Sequence, residues 1–263
     1  MRRISLAVLS LLGGFLPASS WAGAWTQDRG HVQVFSGFTV SRASKSFDEA
    51  GKPTHDVLFN KIFMQNSIEY GLTDAVTLFV APEYVTVQSA AKGQAITRAH
   101  DTAVEAGARI LLLSRIGTLS IQGSAKTAGA FDMTVSANQA SGRQAELRLL
   151  YGRSFKLFGT AGFVDLQAAE RWISRPRPNE MTIDTTAGLW LRRGTLAMFQ
   201  SYSTISGRGG SAPYAPYRMH KLQLSLVQRI TNKWSIQIGG LISPLGKNIV
   251  AEQGLTMSIW SRF

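Results

Sequence analysis

The sequence has no cysteine, so neither disulfides nor thiolate metal sites can stabilise it or supply chemistry. Acids are scarce too: 16 Asp and Glu stand against 28 Lys and Arg, a formal charge of +12. The only histidines are His31, His55, His100 and His220, and none sits at ligand spacing from another, so no metal and no cofactor is expected. Long apolar runs are missing beyond the first residues, which excludes a helical membrane span there. Sustained helical spacing is missing as well. A basic balance can signal nucleic acid, but the chain carries no basic helix and no aromatic stacking platform, so no nucleic-acid partner is expected.

What is present begins with a three-part leader. Arg2 and Arg3 precede an apolar stretch from Ile4 to Phe15, Pro17 follows, and small residues end in Ala22-Gly23-Ala24. That order is the layout of a secretory signal, with the cut expected before Trp25. The stretch is too short to cross a bilayer core, which needs about 20 residues. The expected organisation is a signal peptide over 1–24 and one domain over 25–263. Cleavage removes Arg2 and Arg3 and no acid, leaving +10.

Beyond Gly30 the chain alternates with a period of two. In Val104–Leu112, Val104, Ala106, Ala108, Ile110 and Leu112 oppose Glu105, Gly107 and Arg109. Ala145, Leu147, Leu149 and Tyr151 oppose Glu146 and Arg148; Leu222, Leu224 and Leu226 oppose Lys221, Gln223 and Ser225. Twelve strands are expected, near 30–41, 56–70, 75–88, 101–114, 117–127, 142–152, 156–169, 180–192, 194–205, 218–229, 233–244 and 250–263. The register of 194–205 stays open, because Leu196/Met198 and Ala197/Phe199 both offer an apolar face. Tight turns such as Tyr70–Val76, Ser114–Thr118 and Arg192–Thr195 alternate with longer links: Arg42–His55, Ser89–His100, Ala128–Ser141, Glu170–Asn179, Ser206–Tyr217 and Pro244–Asn248. Short and long connections in alternation describe an all-β, up-and-down antiparallel transmembrane β-barrel of about 12 strands in the bacterial outer membrane, long links outward.

Charged side chains facing lipid cost about 2–4 kcal/mol at mid-bilayer, so the inner face is assigned Lys61, Glu69, Glu83, Glu105, Arg109, Glu146, Arg148, Asp165, Asp184, Arg192, Lys221 and Arg229. These residues either pair and fill the interior or line a polar path with a transverse field. Phe35, Phe63, Phe79 and Trp190 are further lumenal candidates. In the outer links, Arg42, Lys45, Lys52, Lys92, Arg98, Arg171, Arg175, Arg177 and Arg208 would stand among lipopolysaccharide phosphates, making outer-membrane lipid and lipopolysaccharide expected partners.

The chain closes on "SIWSRF", with Phe263, Ile259, Met257 and Leu255 on one face and Arg262, Ser258 and Thr256 on the other. Here the sequence resembles bacterial outer-membrane β-barrels. The resemblance implies that Phe263 is the closing-strand aromatic, read by the outer-membrane assembly machinery; Ser261 departs from the bulkier residue usual there. The "EYGLTD" turn, Glu69–Asp74, between alternating strands resembles the channel-like proteins of the meta-pathway phenol-degradation family. That similarity implies a transport barrel for a small organic solute, with no catalytic residues to carry over.

Catalysis is tested by looking for a serine with a base in reach. No histidine stands in a His-x-Ser pair, and "GRGGS" (Gly207–Ser211) lacks the setting of a phosphate loop. No enzyme is expected. The function expected is a narrow outer-membrane channel or passive transporter for small solutes, anionic or aromatic. A non-conducting structural or adhesion barrel and a soluble exported β-protein are the alternatives.

Overall fold

The structure is a computed structural model that describes residues 23–127, 142–207, 209–210 and 215–263. The expected leader up to Ala22, the link 128–141, Arg208 and part of the glycine-rich link lie outside the described residues.

Twelve strands follow one another along the chain: β1 (Val32–Phe47), β2 (Pro53–Thr73), β3 (Val76–Ala91), β4 (Thr97–Leu113), β5 (Thr118–Lys126) and β6 (Gln144–Leu157). After them come β7 (Thr160–Ile173), β8 (Glu180–Arg192), β9 (Thr195–Ser206), β10 (Arg218–Arg229), β11 (Trp234–Lys247) and β12 (Gln253–Arg262). Each pairs antiparallel with its sequence neighbours, and β1 pairs β12, from Gln33↔Arg262 to Arg42↔Gln253. The sheet is therefore a closed barrel with no free edge.

The period-two pattern dictates which way each side chain points. On β10 and β11, Leu224, Leu226 and Ile238 are exposed on the outside, while Ser225, Val227 and Gln237 are buried inside. A water-soluble sandwich would hide such leucines between layers, and no second layer exists here. The soluble alternative fails on that ground. Among the described residues no helix is long and apolar enough to cross a membrane; the crossing is made by strands.

Several strands run past their expected ends. β1 continues to Phe47 and β2 starts at Pro53, so the expected link Arg42–His55 shrinks to a short turn; β3 and β4 likewise extend to Ala91 and from Thr97. The cause is physical: above the lipid both faces of the wall are wet, so hydrophobic alternation vanishes while backbone pairing persists. The open register of β9 resolves with Leu196 and Met198 inward, packed with Val227 and Trp260, and Phe199 outward.

Candidate functional site: an occluded lumen

The periplasmic end of the lumen is crossed by the chain that precedes β1. Ala24 is fully buried; its N–H donates to Asp165 Oδ2 (2.9 Å) and its carbonyl accepts from Ser120 Oγ (2.6 Å). Trp25 packs edge-on against Phe163, ring centroids 6.0 Å apart, and its carbonyl accepts from Arg109 Nη1 (2.9 Å). Gln27 donates its backbone N–H to Thr77 Oγ1 (2.8 Å) and its side-chain amide to Glu69 Oε2 (2.7 Å). Gly71 lets the segment pass: a Cβ there would lie 2.0 Å from the Asp28 carbonyl oxygen.

The opposite end is closed by the β11–β12 connection. Ile249 and Val250 are buried, the Phe47 N–H donates to the Ile249 carbonyl (2.7 Å), and the Ala251 N–H to the Lys45 carbonyl (2.9 Å). Glu252, which sequence reasoning missed, ends this connection with its carboxylate between Lys61 Nζ and Lys221 Nζ, 2.5 Å from each, and accepting from Ser41 Oγ. Beside it, Ala43, Phe59, Val85 and Val87 form an apolar cluster with Val250.

Between the closures lies a cavity of about 480 Å³. Its lining includes Phe35, Phe63 and Trp260 and the amides of Gln65, Gln200, Gln223 and Gln237. Apart from Lys221, which is paired with Glu252, the β9–β12 side of the chamber is neutral and linked: Trp260 Nε1 donates to Ser258 Oγ (2.7 Å), Ser258 Oγ to Gln237 Oε1 (2.9 Å), and Gln223 Nε2 to Gln200 Oε1 (2.9 Å).

The β2–β8 wall is charged and paired. Arg109 meets Glu69 (2.8 Å), Lys126 meets Glu83 (2.5 Å), and Arg148 meets both Glu146 (2.7 Å) and Asp184 (2.6 Å). Glu105 faces inward, directly across from Lys126 in register. Buried ions are tolerated when each finds an opposite charge and hydrogen bonds, as Arg109, Lys126 and Arg148 do.

Of the residues assigned inward from sequence, Lys61, Glu69, Glu83, Glu105, Arg109, Glu146, Arg148, Asp165, Asp184 and Lys221 lie on inward positions of the wall. Arg192 does not: a bulge after Trp190 carries it to the exposed periplasmic turn, where it donates to Thr195 Oγ1 (2.9 Å). Arg229 stands at the exposed mouth over the Trp190 ring, 5.6 Å from its centroid.

The expected outer-link cations also redistribute. Arg171 turns inward to Glu146 (2.8 Å) and Glu180 (2.7 Å), and Arg177 is buried against Glu180 (3.1 Å). Arg42 and Arg98 belong to strands and face outward. Phe263 sits exposed at the periplasmic rim, exchanging backbone hydrogen bonds with Val32 and packed edge-on against Trp234 at 6.0 Å.

A serine and a histidine do meet, across strands rather than along one: Ser203 Oγ and His220 Nδ1 are 2.8 Å apart on the outer wall. Among the described residues no further side chain is bonded to that ring in the manner of an orienting third group, and no metal-holding cluster of His, Cys, Asp and Glu occurs.

A closed antiparallel cylinder with apolar residues outward and a polar interior is a transmembrane β-barrel, and this chain is one, of the bacterial outer-membrane type. Its fold is similar to that of a COG4313 outer membrane channel from Pseudomonas putida F1, with a TM-score of 0.70 at 15% identity over 92% of this chain and 98% of that one. It is also similar to the translocator domain of the autotransporter NalP from Neisseria meningitidis (TM-score 0.55, 11% identity, 90% of each chain). The β domain of the Bordetella autotransporter BrkA gives a TM-score of 0.52 at 9% identity over 90% of this chain and all of that one. Neither a family model nor a curated protein sequence matches the chain. The outer-membrane β-barrel that the sequence resembles is the fold observed.

Proposed function

We propose that the protein is an outer-membrane channel for small, uncharged, hydrogen-bonding solutes with an aromatic or apolar part, closed at rest at both ends. The observation that carries this is the central chamber. Its lining offers amides and aromatic rings, and the carboxylates and cations that also line it, Glu69, Glu83, Glu252, Arg109, Lys61 and Lys221, are held in ion pairs. A carboxylate solute would find few cations without a partner, and would lose its hydration on entry. A phenol-like solute can stack on Trp260 or Phe63 and hydrogen-bond to the glutamines. This reading narrows the expected anionic or aromatic preference to the aromatic side. Its test is uptake into proteoliposomes of a neutral phenol and of a benzoate of equal size: the phenol should enter faster, and equal or reversed rates overturn the reading.

The second reading, a non-conducting structural barrel, is favoured by the double closure. It requires that no solute enter under any condition. No catalytic role is proposed: among the described residues no third side chain is bonded to the His220 ring that Ser203 meets.

Export, and assembly by the outer-membrane machinery with Phe263 as the closing aromatic, belong to the same proposal. The buried contacts of Ala24 favour a leader cut after Ser20-Trp21-Ala22, before Gly23, over the expected cut before Trp25. The intact mass of the mature chain distinguishes the two.

A further inference from the structure

The outer wall carries one row of polar side chains in register over five strands: Gln253 of β12, Arg42 of β1, Asn60 of β2, Gln88 of β3 and Arg98 of β4. All are exposed or half-exposed, and the row contains no acid. Arg42 lies ten residues along β1 from Val32, about 25 Å up the tilted strand, which is the height of the lipid-facing band and puts the row at the outer-leaflet headgroups. Above the row, Lys45 and Lys92 share the single carboxylate of Asp56, at 2.6 and 3.3 Å, so the arc stays positive.

One step toward the periplasm, the same strands present Leu255, Val40, Ile62, Thr86 and His100. A groove of about 720 Å³ runs along this apolar part of the wall. Gly240, paired with Leu255, leaves it unfilled: a Cβ there would meet nothing nearer than the Gly254 carbonyl oxygen at 3.8 Å. The arc differs from the far side of the barrel, where β7 presents Glu170 and Trp172 outward at the corresponding height.

Guanidinium groups bind phosphate in a bidentate fork, and the two arginines are three strand spacings apart, about 14 Å. Between them stand only amides, which suit sugar hydroxyls. A glycerophospholipid offers one phosphate to such a row. A disaccharide with a phosphate at each end and acyl chains below matches the two cations, the neutral middle and the groove together.

We propose that this arc is a binding site for the bisphosphorylated, acylated disaccharide that anchors lipopolysaccharide in the outer leaflet. Its phosphates sit on Arg42 and Arg98, its sugars on the amide row, and one acyl chain lies in the groove over Gly240. The site rests on the outer-membrane placement alone and stands whether or not the lumen conducts.

The test is native mass spectrometry of the detergent-purified full chain with purified lipid anchor, before and after removal of its phosphates. Wild type should retain the phosphorylated form selectively. R42Q/R98Q should bind it roughly thirtyfold more weakly, while R153Q/K156Q, which loses the same charge at the periplasmic rim, should bind as wild type. Gly240→Leu, whose Cβ would meet nothing nearer than the Gly254 carbonyl oxygen at 3.8 Å, fills the groove and should weaken retention severalfold with the phosphate preference kept. Heat-modifiable migration reports that each variant folds. Undiminished binding by R42Q/R98Q, or equal retention of the dephosphorylated or a glycerophospholipid ligand, would each overturn the proposal.

Discussion

Glu252 is the residue on which the outer closure turns. Its carboxylate is almost fully buried between two ammonium groups, and it belongs to the connection rather than to the wall. Removing one member of such a cluster leaves buried charge without its counterpart, typically a loss of about 3–5 kcal/mol. Glu252→Gln keeps the shape and removes the charge, so Lys61 and Lys221 should repel each other and the connection should lift. The expected outcome is more frequent opening in single-channel recordings, with the folded, heat-modifiable band lost at a lower temperature. Unaltered opening would show that the connection does not close the path. Glu252 falls inside the strand expected over 250–263, on the same parity as Thr256 and Ser258, yet is not among the residues assigned inward; the structure starts β12 at Gln253 and leaves Glu252 in the connection. Its two partners, by contrast, were legible, because a lysine on the inner face of an alternating strand has only the lumen to enter.

At the scale of elements, the alternation on each strand specifies its orientation, and one substitution tests it. Leu224 is exposed on the outer face of β10, five residues from the periplasmic end of that strand, which is near mid-bilayer. Leu224→Arg should destabilise the folded barrel by about 2–4 kcal/mol in a lipid refolding titration. Gln223→Arg, one residue away and inward, should cost far less. The β1–β2 turn offers a pH test. Asp48 accepts from the Lys52 backbone N–H (2.8 Å) and from Thr54 Oγ1 (3.0 Å), and the Lys52 N–H chiefly holds its carboxyl below the ordinary value near 3.8. A depressed value means the carboxylate's contribution is complete above the ordinary value and is lost as pH falls through the depressed one. Hydrogen exchange at the Lys52 amide should therefore gain protection as pH rises to about 4 and stay level above it, once intrinsic exchange is corrected; Asp48→Asn should remove the step. Strand number and order were legible in full from periodicity and link length. The outer strand ends were not, because β1–β4 rise beyond lipid into a zone where both faces are polar and pairing leaves no hydrophobic trace. Arg192 was misplaced for a related reason: the bulge after Trp190 shifts parity by one, and nothing in the local composition announces a bulge.

For the whole molecule, twelve strands enclose a bore that side chains can fill, and here two pieces of chain do much of the filling. The lumen was legible as charged, with pairing or an open polar path left as alternatives. Its neutral glutamine wall and its apolar clusters were not, because an amide or a valine on the inner face is silent to an argument built on the cost of charges in lipid. In the sequence Gly23 and Ala24 read as the end of a leader and Trp25–Asp28 has no assigned role, and only the closed fold brings Asp165, Ser120 and Glu69 around this segment. Deleting Trp25–Gln27 should leave the barrel folded, since these residues pair with no strand, and should raise its conductance severalfold.

The measurement that tests the account most directly is planar-bilayer recording of the wild-type barrel with its ion selectivity, repeated with the Trp25–Gln27 deletion and Glu252→Gln. Small, infrequent openings with little preference between anions and cations are expected, growing in both variants. A large, continuously open, strongly anion-selective conductance in wild type, indifferent to both changes, would contradict the occluded neutral chamber.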